Sequence, residues 1–205
     1  MLALELKFDD LLVGDVLLCY SEMTAEEPDA DGTGYSHTAI ALPHQRVLEA
    51  SPAGVRIVPL SMLLDEYDHI AVLRNPELWD ESRLERLEQF ASRAFGKKFN
   101  AIGMKKFPER KDKYQSDLMD RIAGFFEGTE SEVASARGVY FCSELTTAAF
   151  IDVGIIDRSA AVVFTPETFS PSDIGMDKAF GFFCGYLKSH PGYRVPEGDH
   201  FTKSP

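Results

Sequence analysis

Between Asp15 and Arg74 turn-forming residues cut the chain into short, largely apolar runs, and this spacing limits what the first half can become. Asp15–Tyr20, Ser36–Leu42, Arg46–Ser51, Gly54–Val58 and His69–Arg74 read as five strands, with Ser61–Tyr67 as a short helical turn. The connections Pro43-His44-Gln45 and Pro52-Ala53-Gly54 are too brief for a parallel crossover, which needs a dozen or more residues. A meandering, mostly antiparallel sheet follows.

The second half changes period. Asp80 offers an N-cap, and Leu84, Leu87, Ala91, Ala94 and Phe95 recur at helical spacing before Gly96, predicting an amphipathic helix over Glu81–Phe95. From Lys97 to Gly138 the pattern weakens, with a helix only at its centre, Tyr114–Phe126; this stretch reads as an insertion over the domain. A second helix is expected from Cys142 to Val153, stopped by Gly154, and a last strand over Phe180–Tyr186. Beyond His190 the chain is rich in Pro, Gly and charge, and a flexible tail is expected from about residue 190. At 205 residues this is one α+β domain, 1–205, with an insertion at about 97–138.

Charge and cysteine usage exclude several classes. Twenty-one bases against thirty-three acids leave a net charge of −12, which repels phosphate backbones and speaks against a nucleic-acid partner. No apolar run reaches the roughly 18 residues of a membrane span. Met1–Asp10 lacks a basic leader, an apolar core and a cleavage site, so the cytoplasm is the expected location, or export without a cleaved leader. Three widely spaced cysteines make neither a disulfide framework nor a zinc set, and no cofactor or metal is expected. Cys19 and Cys184 sit among apolar neighbours as small buried hydrophobes. Two charged clusters remain, acidic Ser21–Asp31 and the seven bases of Lys97–Lys113. Each reads as a solvated surface, or as a lid and a recognition patch beside a site.

Cys142 differs from the other cysteines. It opens the second helix, where unpaired N–H groups and a partial positive charge favour thiolate over thiol and could receive an oxyanion. It also fits a buried helix position. A thiolate nucleophile needs a base. Of five histidines, His190 and His200 fall in the tail, His44 in a turn, and His69 beside Asp68, whereas His37 opens an apolar strand. A structural histidine is the other reading there. Across the three-residue connection Leu42 pairs with Arg46, Ala39 with Glu49 and His37 with Ser51, which places His37 and Glu49 diagonally on one face while Ile40 and Leu48 share the other. A two-residue connection would separate His37 from Glu49, and Glu49 also fits an exposed strand position.

Gly14-Asp-Val-Leu-Leu18, Ser36-His-Thr-Ala-Ile40, Val47-Leu-Glu-Ala50, Gly54-Val-Arg-Ile-Val-Pro-Leu60 and Phe141-Cys-Ser-Glu-Leu145 stand in an order that resembles the circularly permuted NlpC-type papain-like amidases of the YiiX/YaeF group, distant relatives of lecithin:retinol acyltransferase. The resemblance covers about residues 11–74 and 139–172. It implies a permuted papain-like fold, an antiparallel sheet packed against a helix that carries the nucleophile at its N-terminus. It implies Cys142 as nucleophile, His37 as general base and acid, and Glu49 as the orienting third member, with Tyr20, Ser36 and Ser143 as substrate contacts. The implied function is a bacterial thiol hydrolase cleaving an amide or peptide, cell-wall peptide included, through an acyl-enzyme. An acyltransferase or esterase on a lipid-like ester, or a catalytically silent binding module, are the alternatives. The long acidic loop and the large insertion depart from the group's pattern and bear on substrate choice.

Overall fold

A computed structural model describes residues 4–22, 33–127 and 138–202. Most of the acidic Ser21–Asp31 loop lies outside the described residues. The expected strands form as β1 (Val16–Tyr20), β2 (Tyr35–Leu42), β3 (Arg46–Ser51), β4 (Gly54–Pro59) and β5 (His69–Arg74). Short strands β6 (Lys98–Phe99) and β7 (Val139–Tyr140) pair parallel to each other, and β8 (Phe182–Lys188) closes the sequence of strands. β8 joins the first five in one antiparallel sheet of order β4-β3-β2-β1-β5-β8.

Both faces of this sheet are covered, which explains why its strands are apolar almost throughout. Helix α1 (Leu60–Glu66) lays Leu60, Leu63 and Leu64 against Leu17, Ala39, Val47, Ile70 and Val72. Helix α2 (Glu81–Ala94) is capped by Asp80, whose side chain accepts the Arg83 N–H at 2.8 Å. It brings Leu87, Phe90, Ala91 and Ala94 to the opposite face. There they meet Val16, Leu18, Ile40 and Leu48, together with α5 (Cys142–Asp152). Each such aliphatic side chain, fully buried, contributes about 1.5–3 kcal/mol.

Helix α5 is buried on every side from Ser143 to Ile151, so its polar side chains need internal partners. Ser143 donates to the Phe169 carbonyl (2.6 Å), and Thr146 meets Thr38 hydroxyl to hydroxyl (3.0 Å). Glu144 accepts from the Phe141 N–H (3.2 Å), half of a capping box, and from Asn100 Nδ2 (3.0 Å). Asn100 also caps α3 (Ala101–Lys105), so the insertion is bolted to the first turn of α5.

One expectation is corrected. The insertion helix, α4 (Phe107–Phe126), starts a full two turns before Tyr114, because Pro108 is well placed in a first turn and Phe107, Tyr114, Leu118 and Phe125 form one stripe. Its Tyr114 hydroxyl donates to the Val162 carbonyl (2.8 Å), and Lys111 pairs with Asp173 (3.0 Å) in α6 (Pro171–Met176). The chain beyond His190, expected as a flexible tail, is packed against the sheet up to residue 202. Asp199 is 4% exposed and accepts from Tyr35 (2.8 Å), from the Tyr186 hydroxyl and from the Phe201 N–H (3.0 Å). Its carboxylate also lies 3.3 Å from His69, whose other nitrogen meets Tyr193 (3.1 Å). A buried carboxylate with this many donors is what holds a segment whose composition is that of a loose end.

Candidate active site

The site begins with a turn. Pro43-His44-Gln45 connects β2 to β3 as three residues, His44 and Gln45 taking positive φ (63° and 53°), and Leu42 pairs with Arg46. Ile40 then faces Leu48 and Ala39 faces Glu49, as counted from the sequence. There the ladder ends. His37 and Ser51 were expected to be opposite one another, and they are not paired. β3 continues instead against β4, with Glu49 opposite Arg56. Gly54 holds that second hairpin: its φ is +106°, a Cβ there would lie 2.8 Å from the Lys97 carbonyl, and the adjacent Val55 N–H donates to the same carbonyl (2.9 Å).

His37 and Glu49 meet as the register requires, with Nε2 2.7 Å from Oε2. Arg56 takes the other carboxylate oxygen, its Nε at 3.0 Å and its Nη2 closer still. Glu49 is 1% exposed. Burial pushes its carboxyl upward, but the hydrogen bond and charge of His37, then Arg56, outweigh that and hold it below the usual carboxylate range. The ring of Tyr67, C-cap of α1, lies parallel to the imidazole within 4°, centroids 5.5 Å apart.

Cys142 is the first residue of α5 and is half-buried. Its thiol shares a hydrogen bond with His37 and receives the backbone N–H groups of Thr38 and Ser143. Burial raises its pKa, and the His37 hydrogen bond and charge, with the two amides, more than reverse this. Reciprocally, burial lowers His37, while hydrogen bonds to Cys142 and Glu49 and both their charges carry it up to about 9. The two shifts agree: the arrangement favours thiolate and imidazolium together. Burial drives the Cys19 thiol well up, and burial also raises Cys184, which is half-buried rather than core. Among the three cysteines only Cys142 is pushed toward thiolate.

The expected substrate contacts fare differently. Ser36 is exposed beside His37. Tyr20 stacks on His69 at 4.5 Å and meets Tyr35 edge-on, which engages its ring in the cluster around Asp199. Ser143 is 1% exposed with its hydroxyl committed to Phe169, so only its backbone N–H faces the sulfur. Sequence reasoning missed Arg56, Tyr67 and the Thr38 amide. Arg56 was within reach: counting outward from the Ser51–Gly54 turn puts it opposite Glu49. Among the described residues no cluster of three or more His, Cys, Asp or Glu is placed to share a metal ion, and no helix is long and apolar enough to cross a membrane.

No family profile matches the chain. Over 129 residues it is 30% identical to the probable lipoprotein peptidase YaeF of Escherichia coli (strain K12), a match covering 58% of this chain and 47% of that one. The match thus spans about half the length of this curated relative. Among solved structures, the metalloprotein yiiX from Escherichia coli O157:H7 aligns with a TM-score of 0.43 and 18% identity, covering 67% of this chain and 63% of that chain. The likeness to YaeF, at 30% identity, is to a protein of the YiiX/YaeF group that the ordered motifs resemble.

Proposed function

We propose that the protein is a cysteine-nucleophile hydrolase of amide or peptide bonds, built on a permuted papain-like plan in which the histidine strand precedes the cysteine helix. The observation that carries this reading is the continuous contact Cys142–His37–Glu49, with the thiol at a helix N-terminus. With Nε2 of His37 engaged by Glu49, Nδ1 is the nitrogen left for the thiol. The peptidase name carried by YaeF supports a hydrolase.

The chemistry follows from the placement. The Cys142 thiolate attacks the carbonyl carbon, and the resulting oxyanion is received by N–H groups at the start of α5. Collapse breaks the C–N bond as the His37 imidazolium gives its proton to the leaving amine, which leaves a thioester on Cys142 and a neutral imidazole. That imidazole takes a proton from water as the water attacks the thioester. Collapse then releases a carboxylic acid and restores the thiolate–imidazolium pair. Glu49 stays ionised and supports the imidazolium.

The test is capture of the acyl-enzyme from a library of peptide and amide substrates, located by peptide mass mapping. An adduct on Cys142 that is lost in Cys142→Ala supports the reading. Unchanged turnover in Cys142→Ala would refute it.

A further inference from the structure

We propose that Arg56 is a positioning residue of this site: by holding Oε1 of Glu49 it keeps Oε2 on the imidazole of His37. The inference rests on the hydrolase reading above and adds a fourth member to its chain of contacts.

Three observations support it. Nε and Nη2 of Arg56 both donate to Oε1, while His37 bonds Oε2. Glu49 is 1% exposed, so in the intact site the guanidinium, and not bulk water, satisfies Oε1. The residues are fixed opposite each other by the β3–β4 register, itself pinned where Gly54 and Val55 meet the Lys97 carbonyl. Removing the guanidinium leaves a buried acceptor with no donor. The carboxylate must then rotate away from His37 or take a proton, and both weaken its support for the imidazolium. The groups that face Glu49 and His37 are Cys142 on α5, Cys19 on β1, Arg56 on β4, and Glu66 and Tyr67 at the end of α1. Of these Glu66 is the other carboxylate near Arg56, at 3.8 Å.

The experiment is the pH profile of Cys142 alkylation by iodoacetamide, read without any substrate, in the wild type and in folded variants checked by their unfolding midpoints. In Arg56→Met the acid limb should move toward neutral pH by on the order of one unit. Arg56→Lys should fall between, since lysine keeps the charge and loses the fork. Glu66→Gln should match the wild type. Arg56→Met combined with Glu49→Gln should match Glu49→Gln alone, because a residue acting through Glu49 has nothing left to act on. An unmoved limb in Arg56→Met, a limb moved to lower pH, or additive effects in the double variant would each overturn the proposal. The last two would mean, respectively, that the guanidinium only drains charge from Glu49 or that it acts elsewhere. An ordinary thiol profile in the wild type, insensitive to His37→Ala, would remove the thiolate–imidazolium pair itself and is recognisable before any Arg56 variant is compared.

Discussion

The backbone N–H of Thr38, which one more rung of the β2–β3 ladder would have given to Ala50, points instead at the sulfur of Cys142. Main-chain groups alternate along β2. Those of Ala41 bond to Gly14 and Asp15 on the β1 side, so those of Thr38 face the β3 side. Because the ladder stops at Ala39 and Glu49, that donor is open when α5 arrives. The end of a strand pairing and the start of a helix thus put amides on one sulfur, with the imidazole of the neighbouring residue as its third partner.

Cys142→Ala should abolish turnover, and His37→Ala should reduce it by about 10²–10⁴-fold or more, the range of general acid–base assistance. The double variant should be hardly slower than Cys142→Ala, since groups acting as a unit are not additive. Steady-state kinetics on any substrate that acylates Cys142 checks this, and measurable activity in Cys142→Ala would contradict it.

Glu49→Gln should be milder, because the amide keeps shape and a hydrogen bond and loses only the charge. The carboxyl is held below its usual range, so its pairing stabilises the fold above the unfolded value near 4.5 and is lost as pH falls through the depressed folded value. Urea unfolding from neutral pH into acid should therefore fall more steeply in the wild type than in Glu49→Gln. Parallel curves would show that the carboxylate adds nothing there.

The coupled pair predicts a flat region. His37 is carried from 6.5 up to about 9, so its contribution is complete below 6.5 and lost as pH rises through 9. Cys142 is lowered from 9.0, so its contribution is complete above that and lost as pH falls through the folded value. Above both 6.5 and the lowered folded value of Cys142, and up to about 9, the folded and unfolded states bind equal numbers of protons from this pair, and the two slopes cancel. Cys142→Ala removes one slope. It also removes the hydrogen bond and charge of Cys142 that help raise His37, so only the support from Glu49 remains, and stability in the variant should decline with rising pH from about 6.5 over a narrower interval, a decline that the wild-type pair offsets.

Asp199→Ala should destabilise the fold by about 2–4 kcal/mol, because it leaves the buried hydroxyls of Tyr35 and Tyr186 without their acceptor. Asp199→Asn should lose less. Chemical denaturation checks the order, and equal stability in all three proteins would show that the tail is not held by this carboxylate.

The sheet, the two main helices and the His37–Glu49 register were legible because each rests on local counting: turn length, apolar period, cap and stop. The early start of α4 was less legible, since charged residues there hide a stripe that only Phe107 and Tyr114 begin. The packing of the tail was not legible, for a different reason. Asp199 finds its partners on β2, β5 and β8, and no composition of residues 190–202 announces contacts so far away in the chain. The Thr38 amide was illegible in kind. It depends on where a ladder stops, which is decided by the helix that fills the gap.

The order of the parts has a consequence for how the protein comes into being. His37 precedes Cys142 by 105 residues, so at roughly 5–20 residues per second it leaves the ribosome seconds earlier. Until α5 docks, Cys142 has the ionisation of an ordinary thiol and is almost wholly protonated at acidic pH. On the proposed reading, the thiolate at low pH requires that β2 and α5 have met. Labelling of Cys142 at low pH therefore reads out the folded fraction of the chain, and a newly made or heat-damaged molecule would stay dark to the same reagent.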